Sequence, residues 1–149
     1  MYKHILLAHD GSELSSAALK QAIQVAKALG AKLTAVHIVP PFHLSFRTLS
    51  TPSSVRDRIE GDHDAEALDA ARKMLATAQA EAKAQGVDCA TVAILGDHPY
   101  QGIIDQATKS GCDVIMMASH GRRGLEGLLL GSETAKVLTH SRIPVLVVR

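Results

Sequence analysis

Short unbroken apolar runs alternate along this chain with longer segments in which apolar residues recur every three or four positions. The first run, Ile5-Leu6-Leu7-Ala8, ends at Asp10-Gly11-Ser12. A run with no polar alternation predicts a strand buried on both faces. Ser12 suits the cap of a helix with Leu14, Ala18, Ala22, Val25 and Leu29 on its inner face, and Gly30 suits its left-handed stop. Residues 32–39 read as a second strand, closed by Pro40-Pro41. Residues 40–61 show no period and read as a long irregular connection, a lid or a partner surface. From 62 to 85 the composition turns Ala-rich, with Leu68, Ala71, Leu75, Ala78 and Ala82 at helical spacing and Gly86 beyond. Residues 87–95 form a weaker strand, interrupted by Asp88 and Thr91. Pro99 then opens a helix carrying Ile103, Ile104 and Ala107, and Gly111 closes it. Residues 114–117 give a fourth strand, 133 to about 141 a helix with Ala135, Val137 and Leu138, and 143–148 a last strand.

The order β-α-β-α-β-α-β-α-β predicts an α/β fold, an open five-stranded parallel sheet with helices on both faces and right-handed crossovers. In such sheets ligands bind beyond the carboxyl ends of the strands, where the strand order reverses. Two loops at that end carry polar and glycine residues: Asp10-Gly11-Ser12, and residues 118–134. Periodicity alone does not bring these loops together.

With 149 residues the chain reads as one domain, 1–149. A chain of this size buries roughly two-thirds of its unfolded surface and needs no disulfide or structural metal to fold. There is no Trp, and with only two Phe and two Tyr the core falls to Leu, Ile, Val and Ala. A net charge of +1 gives no electrostatic footprint for nucleic acid or an anionic membrane, so any anion site must be local. Cys89 and Cys112 lack the spacing of a metal finger or redox pair, and two lone thiols suit a reducing compartment. The first apolar run is too short for a signal peptide, and no stretch approaches the roughly 20 apolar residues of a membrane span. The expectation is a cytoplasmic protein.

The chemistry concentrates after the fourth strand. Gly121, nine residues, then Gly131-Ser132 lead from a buried strand into a helix. The unpaired N–H groups and positive dipole end of that helix favour phosphate. The phosphate loop G-x-x-x-x-G-K-[ST] and the dinucleotide fingerprint G-x-G-x-x-G are both absent, since Gly121, Gly124 and Gly127 are spaced by threes. Arg122 and Arg123 read as a solvated loop pair. His9, His37, His43 and His120 fall near one sheet end but show no ligand spacing, so no metal site is expected. Ser119 and His120 are adjacent, which does not place a hydroxyl against an imidazole with a third orienting group, and no catalytic set is expected. Asp10 or His120 could at most orient a water for slow hydrolysis at a γ-phosphate.

Four blocks together resemble the universal stress protein family over essentially the whole chain. They are the run from Ile5 through Asp10-Gly11-Ser12, then Ala118-Ser119-His120-Gly121-Arg122-Arg123-Gly124-Leu125, then Leu128-Leu129-Leu130-Gly131-Ser132, and Pro144-Val145-Leu146-Val147-Val148. The nucleotide-binding branch of that family has G-x-x-G, nine residues, then G-S or G-T. Here Gly121, Gly131 and Ser132 match, and Ala118 stands at the first glycine. If that position required positive φ, the methyl would cost about 1 kcal/mol. The resemblance implies a Rossmann-like fold and a cytoplasmic ATP-binding stress regulator, with Mg²⁺ arriving on the nucleotide. It implies that Asp10 touches the adenosine end and the Ile38 backbone meets the base. Ala118, His120 and Gly121 would flank the ribose and phosphates, while Gly131, Ser132, Glu133 and Thr134 would bind phosphate oxygens through N–H and hydroxyl groups. It further implies a homodimer through the last strand and an unidentified regulatory protein partner. A nucleotide-free interaction protein of the same fold, or a slow ATP-hydrolysing enzyme, are the alternatives.

Overall fold

The computed structural model describes residues 1–44, 51–121 and 130–149. Its elements are β1 (His4–Ala8), α1 (Glu13–Leu29), β2 (Lys32–Val39), α2 (Ser53–Ala84), β3 (Cys89–Leu95), α3 (Pro99–Lys109), β4 (Val114–Ala118), α4 (Ser132–His140) and β5 (Val145–Val148). All five strands are parallel, in the order β3-β2-β1-β4-β5. The chain leaves β1 toward β2 on one side and returns to β4 on the other, so the reversal of strand order falls between β1 and β4.

The apolar runs are buried because both sheet faces are covered. Ile5, Leu7, Leu33, Ala35, Val114 and Met116 face α1 and α2, where Ala18, Ala22, Ala26, Leu75, Ala78 and Ala82 meet them. Leu6, Val36, Ile38, Ile115 and Met117 face the other layer, with Ile103 and Ala107 of α3 and Val137 of α4. Small alanines let α1 and α2 approach the sheet closely. Ser12 caps α1, its Oγ accepting the Ser15 N–H at 3.2 Å, and Gly30 ends that helix at φ 63°.

α2 departs from the sequence expectation. It starts at Ser53, so residues 53–61 are helical and the irregular connection is shorter than 40–61; residues 45–50 lie outside those described. The buried positions of α2 begin only at Ala71. Its first half therefore carries no apolar stripe from which a helix could be read. The segment after β2 docks on that half: the Phe42 N–H donates to Asp64 at 2.8 Å and the Leu44 N–H to Glu60 at 2.9 Å, with the Phe42 ring 4.4 Å from that of His63.

Candidate functional site

β1 ends at Ala8, and the chain turns through Asp10 and Gly11, which sits at φ 76°. Asp10 Oδ1 accepts the Ser12 N–H at 2.9 Å, an Asx-type turn that sets the carboxylate at the mouth of the sheet. β4 ends at Ala118, and Ser119, His120 and Gly121 follow. The two loops meet: a Cβ on Gly121 would lie 2.7 Å from Asp10 Oδ2.

The return of the chain at residue 131 completes the site. The Gly131 N–H donates to the Ser119 carbonyl at 2.7 Å, and the Thr134 hydroxyl donates to the Ala118 carbonyl at 3.0 Å. The first turn of α4 is thus fixed to the end of β4 at two consecutive carbonyls. A Cβ on Gly131 would stand 3.2 Å from the Ser119 carbonyl oxygen and 3.3 Å from His120 Cα, so glycine permits this approach. The first helical bond of α4 runs from the Ala135 N–H to Gly131. The N–H groups of Ser132, Glu133 and Thr134 therefore precede the helical ladder, at the positive end of the dipole.

His120 stands beside that turn. Its Nδ1 lies 3.1 Å from Ser119 Oγ, and Cδ2 lies 3.8 Å from a Cβ placed on Gly131. Nε2 is buried and has no hydrogen-bond partner among the described residues. A buried polar atom without a partner is unusual enough to require an explanation, and a bound ligand supplies one. The Ser119 hydroxyl and the His120 imidazole are in contact, which adjacency in sequence did not by itself predict. The two side chains meet in the bend that follows β4, and among the described residues none bonds Nε2.

Ile38 is reached differently. The Ala8↔Val36 pair ends the β1–β2 ladder, and the Val36 carbonyl accepts the His9 N–H at 2.9 Å. One pleat further, the Ile38 N–H and C=O face the same side, past the end of β1, which leaves backbone rather than side chain toward the cleft. The side chain is buried under α3, where a Cβ on Gly102 would come within 2.7 Å of Ile38 Cδ1 and one on Gly96 within 3.0 Å of Cγ2.

Three site positions behave otherwise than their residue types suggested. Ala118 is the last residue of β4, buried, and no described non-glycine residue has positive φ, so the methyl carries no backbone strain. The Thr134 side chain is buried, and its single proton goes to Ala118, which leaves its N–H as the group for an anion. The Glu133 carboxylate turns to α3, Oε2 accepting the Tyr100 N–H at 2.8 Å and Oε1 the Lys136 ammonium at 3.0 Å. Sequence reasoning overlooked Tyr100, Gly96 and Gly102, whose roles depend on α3 packing against Ile38 and α4. Arg122 and Arg123 lie outside the described residues. No group of acidic, histidine or cysteine side chains among the described residues could hold a metal ion. No helix among them is long and apolar enough to cross a membrane.

The sequence model described as the universal stress protein family matches residues 1–149. The universal stress protein YxiE of Bacillus subtilis is 32% identical over 153 residues, which cover all of both chains. The solved structure of MJ0577, a universal stress protein of Methanocaldococcus jannaschii, superposes with a TM-score of 0.85 at 28% identity, covering 99% of this chain and 96% of that one. A universal stress protein solved in complex with cAMP shares the fold, with a TM-score of 0.67 at 24% identity and coverage of 99% and 97%.

Proposed function

The chain belongs to the universal stress protein family along its whole length, and from that premise we propose that it binds an adenine nucleotide, ATP, in the cleft between the ends of β1 and β4. The observation that carries this reading is the meeting of the α4 N-terminus with His120, whose buried Nε2 has no partner among the described residues. Three N–H donors at the start of α4 and the ring of His120 lie where an anion would sit, and among the described residues Nε2 has no partner. Ser132, Glu133 and Thr134 offer backbone N–H groups to the phosphates, with the Ser132 hydroxyl beside them. Gly121 and Gly131 keep the floor of the cleft clear for close backbone approach. In this reading Asp10 accepts ribose hydroxyls and the Ile38 backbone pairs with the base edge. Mg²⁺ would enter on the phosphates and water rather than on a protein cage.

The protein acts as a cytoplasmic stress regulator that works by occupancy: nucleotide stabilises the arrangement it prefers, in proportion to its differential affinity. A regulatory protein partner reads that arrangement. Two copies pair through β5, which lies at the sheet edge with Leu146 and Leu138 39% and 42% exposed.

Calorimetric titration with Mg-ATP, beside Gly131→Val, tests the site. Micromolar binding that the variant loses while keeping its melting transition supports it. A folded parent that binds no nucleotide overturns it in favour of a nucleotide-free interaction protein.

A further inference from the structure

We infer that the Glu133 carboxylate is a positioning group, which sets the phosphate-facing turn of α4 by clamping it to the first turn of α3. This rests on the nucleotide reading above and assigns a role to a side chain that does not itself meet the ligand.

The first turn of α3 lacks its own cap. His98, at the N-cap position, makes no side-chain capping bond, and Pro99 has no N–H, so Tyr100 carries the first backbone donor of that helix. That donor is taken by Glu133 Oε2 at 2.8 Å. Glu133 is the second residue of α4, so its own N–H points into the candidate phosphate turn while its carboxylate reaches sideways to the neighbouring helix. One residue therefore joins two helix N-termini.

The clamp is reinforced and electrically balanced. Lys136 donates to Oε1 at 3.0 Å, and its ammonium lies 5.5 Å from the Tyr100 ring centroid. That ring also lies 5.3 Å from His140, on the last turn of α4, and 6.3 Å from His98. An unbalanced carboxylate beside bound phosphate would oppose it. Held against the positive end of α3 and beside Lys136, the charge is turned away from the ligand. α3 is fixed at the base end as well, because Ile38 fills the space over Gly102. The first turn of α3 thus touches both β2, at Ile38, and the first turn of α4, at Glu133.

Glu133→Ala and Glu133→Gln separate the clamp from the charge, since glutamine keeps an oxygen for the Tyr100 N–H while both variants lose the carboxylate. Affinities for ATP, inorganic tripolyphosphate and adenosine are compared, together with amide exchange at Tyr100 and residues 132–134 without ligand. The expected result is a roughly tenfold loss for ATP and tripolyphosphate in Glu133→Ala. Adenosine should be unchanged, Glu133→Gln near the parent, and exchange faster in the alanine variant alone. Equal ATP affinity in Glu133→Ala and parent overturns the clamp, and so does equal loss in both variants. A parent that binds none of the three ligands overturns the nucleotide reading instead. In that event unaltered exchange in Glu133→Ala overturns the clamp, and faster exchange at both turns upholds its structural half.

Discussion

Gly121 and Asp10 lie so close that a single methyl cannot fit between them: the Cβ of an alanine at 121 would stand 2.7 Å from Asp10 Oδ2. The two residues are 111 positions apart in sequence, on the loops that follow β1 and β4, and their contact closes the mouth of the cleft. In Gly121→Ala the carboxylate must rotate away. Its other oxygen then leaves the Ser12 N–H, which it accepts at 2.9 Å. Because Gly121 is exposed, stability should hardly change. ATP affinity should fall roughly tenfold, the size of one charged hydrogen bond misplaced. Titration of parent and variant with ATP checks this, and identical affinities would remove Asp10 from the ligand.

Ala118→Gly restores the family's glycine, yet the structure predicts no gain. Ala118 is a buried strand residue without positive φ, and its carbonyl holds the Thr134 hydroxyl. Removing its methyl loses apolar burial and loosens the end of β4. The expected effect is a loss of about 1 kcal/mol in urea unfolding. ATP affinity should be unchanged or weaker. Tighter binding in the glycine variant would show that the methyl obstructs the nucleotide.

Much of this was legible in the sequence, and the reasons for the misses are physical. Strand runs and helix stops are local: Gly30 and Gly111 announced themselves because each ends a helix at positive φ. Residues 53–61 of α2 did not, because a stretch that is almost wholly exposed shows no period to read. The glycine spacing pointed to the turn that opens α4 as the place to look for a phosphate site. It could not show that Asp10 meets Gly121 or that the Glu133 carboxylate faces Tyr100, because those contacts depend on which strands are neighbours and how α3 sits on α4. The seat of the Ile38 side chain over Gly96 and Gly102 is a matter of tertiary packing that no local pattern reveals.

The edge of β5 gives a test of the proposed dimer. The Ile115 N–H donates to Pro144 and the Ser119 N–H to Val148, so the even-numbered carbonyls of β5 face β4 and the N–H of Val147 faces outward. Val147→Pro removes that outward donor while leaving the inner ladder its bonds. Sedimentation should show a dimer for the parent and a monomer for the variant, with the far-ultraviolet spectrum retained. A variant that still dimerises would place the interface elsewhere.

Alkaline stability should report the buried thiols. Burial chiefly, with the Asp113 charge beside it, pushes the Cys112 thiol from 9.0 up to about 11, and burial raises Cys89 as well. Between these values the unfolded chain gives up the Cys112 proton while the folded chain keeps it. Stability from this group is therefore complete below pH 9 and falls as pH rises toward 11. The loss accumulates progressively across that window. Other groups titrate there too, so Cys112→Ala is the reference: its urea midpoint should fall less steeply than the parent's from pH 8.5 to 10.5. Parallel curves would mean that the thiol ionises as readily in the folded protein as in the unfolded chain, and that Cys112 is reached by water despite its place beside Ile115 and Ala107 in the core.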